Sequence, residues 1–222
     1  MNTSIDPNLL PVYVVIAVTV LITWWGWRDR DFINRYCFHV GAIRHGGQWA
    51  RLLVSGFLHA DLAHLLFNMI TLYFFGGLTV KVFGVQGFAA MYLGSLLLAN
   101  VLTLALYWKR TSYAALGASG AVSGVLFATL ALFPHIGIYL FFVPIPVAGW
   151  VFAVLYMAYT IFAILRPEYG GNIGHAAHLG GALTGVAMAA ALQPQQAGEN
   201  LPYIGLMLVP VAVLAVVLWR RR

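Results

Sequence analysis

The chain has 222 residues, of which 62% are hydrophobic and only 8% are charged, and its mean hydropathy is +0.86. A soluble domain carries about three times that charged fraction. The apolar residues form runs of roughly 20, the helix length that crosses a bilayer core, so we expect a polytopic membrane protein. The net charge of +6 comes from basic residues scattered between these runs. That pattern is typical of charges that set membrane topology and argues against nucleic-acid binding.

Seven apolar spans are predicted along the chain. Pro144 and Pro146 interrupt the fifth, so its first part is expected to be irregular or kinked. The polar connection after the first span, Arg28 to about Gly47, is too long for a simple link and is expected to be partly folded. The spans run from about Leu9 to Trp27, Leu62 to Val82, Gly87 to Trp108, Ala118 to Phe133, Ile138 to Leu165, Ile173 to Leu192 and Leu201 to Trp219.

A serine and a histidine lie at the starts of the fourth and sixth spans. Ser119 is part of LGASG at residues 116–120, and His178 is part of HAAHLGG at residues 175–181. A serine activated by a histidine is the minimum for nucleophilic catalysis. No acidic residue lies on either span, so the residues predict a Ser–His dyad rather than a triad. A structural histidine within ordinary glycine packing is the alternative.

Glycines on both spans predict that the two helices pack closely. Gly174, His178, Gly181 and Gly185 are spaced four, three and four residues apart and share one helix face. Gly120 and Gly124 form a matching pair directly after Ser119, and Gly117 precedes it. Small residues four apart allow membrane helices to approach closely, which would bring Ser119 near His178.

The second span adds two hydrogen-bond donors, His64 and Asn68, one turn apart on one face. Donors aimed at a developing oxyanion stabilise it by roughly 3 kcal/mol each. The backbone N–H of Ser119, at a helix start, is a further candidate donor. The alternative is that His64 and Asn68 only form polar contacts between helices. Asp61 is predicted to cap the helix and to take no part in catalysis.

These motifs together resemble a known family. HLLFN at residues 64–68, GASG at residues 117–120 and AHLGG at residues 177–181 are similar to the rhomboid intramembrane serine proteases in sequence, order and spacing. The resemblance covers about residues 45 to 192. It implies an all-α membrane protein with a rhomboid-like core of six transmembrane helices, with the seventh helix as a C-terminal addition.

The resemblance also implies roles for the residues. Ser119 would be the nucleophile and His178 the general base, and His64, Asn68 and the Ser119 N–H would form the oxyanion hole. Substrates would be transmembrane segments of membrane proteins in the surrounding lipid, and no cofactor is needed. We expect an integral multi-pass protein of the bacterial inner membrane. Residues 1–44 would hold the first helix and the start of the first loop, 45–192 the catalytic core, and 201–219 the added helix.

Three positions depart from the family pattern or leave a choice open. Trp49 and Arg51 resemble a tryptophan–arginine pair of the first loop, but here Ala50 separates them. Ser123 stands where family members often carry an aromatic ring beneath the histidine, so the packing of His178 is left open. His175 could serve in place of His178, although the family pattern favours His178.

Two other classes of function compete with the protease. His59, Asp61, His64, His175 and His178 could in principle gather around a metal ion, although no HExxH motif is present. A catalytically inactive rhomboid-like protein that binds membrane clients is the second competitor. Such proteins typically lose the serine or the histidine, and this chain keeps both. A transporter is disfavoured because charged residues within the spans are nearly absent.

The charge distribution predicts an orientation that the family resemblance does not. With seven spans, the connections on one face carry one basic residue, Lys81, and those on the other face carry eleven, including Arg220–Arg222. The positive-inside rule puts the second face, with the Ser119 end of the fourth helix, in the cytoplasm. The resemblance implies an active site that opens to the outside.

A carboxy-terminal alkaline phosphatase fusion in a bacterial host tests the orientation. The charge rule predicts low phosphatase activity, because the enzyme folds only outside the cytoplasm. A green fluorescent protein fused at the same position should then fluoresce. High phosphatase activity without fluorescence would support the orientation implied by the family.

Overall fold

The computed structural model describes residues 9–139, 145–171 and 174–220. Pro144, Ile173, Arg221 and Arg222, which entered the predictions above, lie outside these ranges. Helices dominate the described residues, where strands are limited to two short pairs. The predicted all-α membrane fold is confirmed.

Ten α-helices and four two-residue strands form the described part of the chain. The helices are α1 (Leu10–Arg28), α2 (Arg30–Tyr36), α3 (Val40–Gly46), α4 (Arg51–Val54), α5 (Leu62–Leu106), α6 (Ser119–Leu132), α7 (Gly149–Leu165), α8 (His175–Leu192), α9 (Pro194–Glu199) and α10 (Leu201–Arg220). The strands are β1 (Phe38–His39), β2 (Ala114–Ala115), β3 (Gly137–Ile138) and β4 (Val147–Ala148), and β1 pairs with β2 and β3 with β4, both antiparallel.

The long helix α5 accounts for two of the predicted spans. Gly84 interrupts it with a non-helical backbone, φ 70° and ψ 177°, a conformation that favours glycine. Its two arms, residues 62–83 and 85–106, are each long enough to cross a bilayer core. Helices α1, α5 and α8 are long and apolar enough to span a membrane, and α6, α7 and α10 are shorter apolar helices.

The predicted start of the fifth span is wrong. Ile138 lies in β3, which pairs with β4, and the helix begins only at Gly149. Proline lacks an N–H and fixes its φ angle, so Pro146 disfavours a helix before Gly149. The expected irregular first part therefore includes the β3–β4 pair.

Helix α6 is the central helix of the bundle. Every residue from Gly120 to Leu132 is buried, mainly by α5 and α8. Its 14 residues span about 21 Å at 1.5 Å per residue, less than the roughly 30 Å of a bilayer core. Because α6 is too short to cross that core, at least one of its ends stops inside the bundle.

Glycines bring the backbones of α6 and α8 into direct contact. A Cβ atom on Gly181 would overlap the carbonyl of Gly120, and one on Gly185 would overlap the carbonyl of Gly124. The two pairs advance in the same direction along both chains, so the helices are parallel. A Cβ atom on Gly180 would lie 2.7 Å from Cα of Ala99, so the second arm of α5 also packs closely on α8.

The first loop is folded, as predicted, into α2, β1, α3 and α4. Arg51 is buried at its centre, 8% exposed. Its guanidinium donates to the carbonyls of Asn34 at 3.0 Å and Cys37 at 2.6 Å, and to Oε1 of Gln48 at 2.7 Å. These bonds satisfy the buried cation through backbone and amide oxygens and tie three parts of the loop together.

The last helix, α10, packs on the outer side of α7. Tyr203 contacts the rings of His135 and Trp150, with centroids 4.7 and 6.1 Å apart. Asn200 donates to the carbonyl of Leu132 at the end of α6. Helix α7 is therefore held between α10 on one side and the α6–α8 pair on the other.

The glycine contact predicts a sharp difference between two alanine variants. Gly181→Ala should lower the free energy of unfolding by about 1–3 kcal/mol, because its methyl group forces α6 and α8 apart. Gly205→Ala, on α10, is the control, since nothing lies within 4 Å of its would-be Cβ, and it should be neutral or slightly stabilising. Thermal unfolding of both variants in detergent checks this. Equal stability of the two would contradict the backbone contact.

Candidate active site

Ser119 is the first residue of α6, following a turn that only glycine accommodates readily. Gly117 has φ 132°, and its N–H donates to the carbonyl of Ser55 at 3.0 Å. A Cβ atom on Gly117 would lie 2.6 Å from Cε1 of His64. The absence of a side chain at Gly117 therefore lets the imidazole of His64 pack directly beside the turn that precedes Ser119.

His59 supports the same turn from the other side. The N–H of Ala118 donates to its Nε2 at 3.2 Å, so the ring proton lies on Nδ1, which contacts Oγ1 of Thr23 at 3.1 Å. Thr23 in turn donates to the carbonyl of Phe57 at 3.0 Å. This chain of bonds connects α1, the first loop and the start of α6, and it requires a neutral imidazole.

Burial lowers the pKa of His59 to about 3, with a further lowering by His64 and an opposing effect of Asp61. The side chain is fully buried, and protonating Nε2 would remove the acceptor used by Ala118. The sequence pattern indicates His59 only as a candidate metal ligand. Its supporting role depends on a contact with a residue that is far away in the chain.

Ser119 and His178 line one cavity of about 580 Å³, together with His64 and Asn68. The cavity lies between the first arm of α5, the starts of α6 and α8, and one face of α7. It is also lined by Phe67 and Phe152 from the two helices that flank it. These four side chains thus border one space within an apolar bundle.

The packing of α6 against α8 brings Ser119 and His178 to the same level. Gly120 follows Ser119 and lies against Gly181, which is less than one turn after His178. Both residues thus lie in the first turns of parallel helices. Both residues line the same cavity, and among the described residues no hydrogen bond joins their side chains.

Tyr156 of α7 supplies an aromatic ring beside His178. The two rings are stacked, with centroids 5.8 Å apart and an interplanar angle of 21°. The tyrosine hydroxyl and Oγ of Ser123 are 3.0 Å apart in a hydrogen bond. The sequence alone leaves the packing of His178 open. Two features of the sequence point to such a ring from α7. Residue 123 lacks the aromatic side chain of the family, and the fifth predicted span is rich in aromatic residues.

His175 is used elsewhere. Its Nε2 lies 3.0 Å from the carbonyl of Gly170, and its ring meets those of Tyr159 and His178 edge-on, at 5.3 and 5.8 Å. The side chain is buried and is not part of the cavity lining. In the described part of the chain, no three His, Cys, Asp or Glu side chains are placed to hold a metal ion.

The polar groups at the start of α5 have partners of their own. Asp61 caps the helix, as predicted, by accepting from the N–H of His64 at 2.8 Å. Asn68 donates one amide hydrogen to the carbonyl of His64 at 2.9 Å, which leaves its second amide hydrogen available. Asp61 also borders the cavity, but within the described residues it makes no ion pair with His178.

Comparison with known proteins gives a family match. A family model described as Rhomboid domain matches residues 46–195, about two thirds of the chain. This stretch contains Arg51 of the first loop and all the cavity residues named above. It ends within α9.

Curated relatives carry the same family name. RHOMBOID-like protein 12, mitochondrial, of Arabidopsis thaliana is 30% identical over 193 residues, which cover 80% of this chain and 56% of the relative. Rhomboid protein 1, mitochondrial, of Saccharomyces cerevisiae is 36% identical over 139 residues, which cover 61% and 39%. The putative rhomboid protease YdcA of Bacillus subtilis is 30% identical over 154 residues, which cover 68% and 69%.

The chain thus spans little more than half of the plant relative and 39% of the yeast one. The family match and the apolar helices show that it is an integral membrane protein. The expected bacterial inner membrane gains no support, since two of these three relatives are mitochondrial.

The network around His59 predicts a pH-dependent stability. The folded-state pKa is lowered from 6.5 to about 3, so below pH 6.5 the unfolded chain binds a proton that the folded chain does not. Stability should therefore fall on acidification below pH 6.5, by at most about 1.4 kcal/mol per pH unit from this group.

Thermal unfolding of the wild type and His59→Gln across this range isolates the contribution. Glutamine does not titrate, so the variant should be less stable near neutral pH and should lose less stability on acidification. Parallel pH curves for the two proteins would contradict the assignment. His45→Gln, at an exposed first-loop position, is the matched control and should follow the wild type.

Proposed function

This chain belongs to the rhomboid family, and we propose that it is an intramembrane serine endopeptidase that cleaves transmembrane segments of membrane proteins. Ser119 is the nucleophile and His178 is the general base of the proposed dyad. One observation carries the proposal: a single cavity inside the helical bundle is lined by Ser119, His178, His64 and Asn68.

The proposed reaction proceeds through an acyl-enzyme. His178 accepts the proton of the Ser119 hydroxyl while Oγ bonds to the carbonyl carbon of the scissile peptide. His178 then returns this proton to the departing amine as the C–N bond breaks. A water molecule, deprotonated by His178, attacks the ester carbonyl. His178 then returns that proton to Oγ of Ser119 as the ester C–O bond breaks, which releases the new carboxyl end and free Ser119. The cavity provides room for the histidine to approach the serine once a substrate is bound.

Three groups are proposed to stabilise the oxyanion formed in both halves of the reaction. The N–H of Ser119 is free of an intrahelical partner because it lies in the first turn of α6. The imidazole of His64 packs against Gly117, two residues before the nucleophile. Asn68 keeps one amide hydrogen that its own helix does not use. Donors held in this way need little reorganisation when the charge develops.

The substrate is proposed to enter from the lipid between the first arm of α5 and α7. Phe67 and Phe152 line the cavity from these two helices, and α7 packs mainly on α10 and α8 rather than on α5. A transmembrane helix hides its carbonyls in its own hydrogen bonds, so it must unwind before attack. Substrates with helix-breaking residues near the cut fit this requirement.

Alanine variants of the dyad test the proposal. Ser119→Ala and His178→Ala should each lower cleavage of a model transmembrane substrate at least about 10³-fold, because the dyad acts as a unit. His64→Ala and Asn68→Ala should lower it by about 10²-fold or less, since the other oxyanion donors remain. The measurement is the cleavage rate in proteoliposomes, together with labelling by a serine-directed fluorophosphonate.

Ser112→Ala is the matched control, because this serine lies in an exposed turn and its loss should leave cleavage and labelling unchanged. Thermal unfolding of each variant separates lost catalysis from lost folding. Cleavage by Ser119→Ala at the wild-type rate would refute the dyad. A well-folded wild type that neither cleaves nor labels would favour a rhomboid-like client-binding protein.

A further inference from the structure

Three helices meet at the ring of His178. Tyr156 comes from α7 and stacks on the imidazole at 5.8 Å. Ser123 comes from α6, is 3% exposed, and bonds to the tyrosine hydroxyl at 3.0 Å. His175, on the same helix as His178, meets the imidazole edge-on. All but His175 also line the cavity that contains Ser119.

No described residue orients His178 through a polar contact. Within the described residues, no hydrogen bond reaches either nitrogen of its ring, and none of the six acidic residues of the chain lies on α6, α7 or α8. In a triad, a carboxylate performs this orienting task. Here the orientation of the imidazole is left to ring contacts.

Tyr156 is itself fixed with respect to the nucleophile. Ser123 lies one turn after Ser119 on α6, so the hydrogen bond ties the tyrosine to the helix that carries the serine. Phe127 of α6 and Phe152 of α7 contact the tyrosine ring, at centroid distances of 5.4 and 5.7 Å. Contacts with α6 therefore fix the position of Tyr156, and Tyr156 in turn contacts His178 on α8.

We propose that Tyr156, held by Ser123, is the positioning residue that orients His178 toward Ser119, and that it couples α7 to the dyad. The proposal rests on the function proposed above. Since the stacking ring belongs to a helix that borders the entry path, a displacement of α7 that admits substrate also withdraws the ring from the histidine. The dyad is therefore aligned only when α7 has returned to its closed position.

Variants of Tyr156 should change substrate turnover more than substrate binding. Tyr156→Leu removes the ring and should lower kcat by about tenfold to a hundredfold, the cost of a misoriented catalytic group, with KM within about twofold. Tyr156→Phe keeps the ring and should restore most of the activity lost in Tyr156→Leu. Tyr159→Phe, one turn further along α7 with an exposed side chain, loses a hydroxyl in the same way and should match the wild type.

A double-mutant cycle tests the hydrogen bond. Ser123→Ala and Tyr156→Phe should each lower kcat by a few-fold, and the double variant should be no worse than the poorer single one, because both remove the same bond. Additive losses would overturn the role of Ser123. This cycle decides the matter even if Tyr156→Leu does not fold.

A signal that needs no activity separates the two proposals. In histidine-labelled protein the imidazole protons of His178, identified by their loss in His178→Ala, should show a ring-current shift that disappears in Tyr156→Leu and persists in Tyr156→Phe. Serine-dependent cleavage by the wild type with unchanged kcat in Tyr156→Leu would refute the positioning role alone. Absence of serine-dependent cleavage, with the ring-current shift present, would refute the protease alone.

Discussion

The backbones of α6 and α8 are in direct contact, and this contact sets the geometry of the bundle. Gly181 and Gly185 lie against the carbonyls of Gly120 and Gly124 so closely that no Cβ atom fits between them. In a bilayer, lipid tails are as apolar as the side chains of the helices, so helix association relies on such close packing. This contact fixes the level at which α6 starts relative to α8, and with it the separation of Ser119 from His178.

Around this pair the protein has to keep polar groups within an apolar bundle. The turn before Ser119 achieves this through bonds between distant segments: Gly117 to Ser55, and Ala118 to His59. The first loop is held in turn by Arg51, whose cation is satisfied by carbonyl oxygens. A folded loop is thus a structural part of the site, because it supplies the acceptors that the turn needs.

The contacts of α7 differ in kind from those of α6 and α8. It packs on α10, contacts the paired helices through side chains such as Tyr156, and lines the cavity. Side-chain contacts between helices can separate and re-form at a lower free-energy cost than the close backbone contact between α6 and α8. The bundle therefore combines a rigid pair, which carries the candidate dyad, with a flanking helix better suited to move.

The amino-acid sequence suffices to predict the membrane class, the approximate helical spans and the candidate residues, because span length, glycine spacing and short motifs are local properties. It did not determine the start of α7, where β3 and β4 pair across a proline-containing segment, nor the contacts made by Tyr156 and His59. Ser123 stands where family members often carry an aromatic ring. In this chain α7 supplies the ring instead, from Tyr156, which lies 33 residues further along the sequence. Such contacts join residues that are distant in the chain, and only the packing of the helices decides which of them meet.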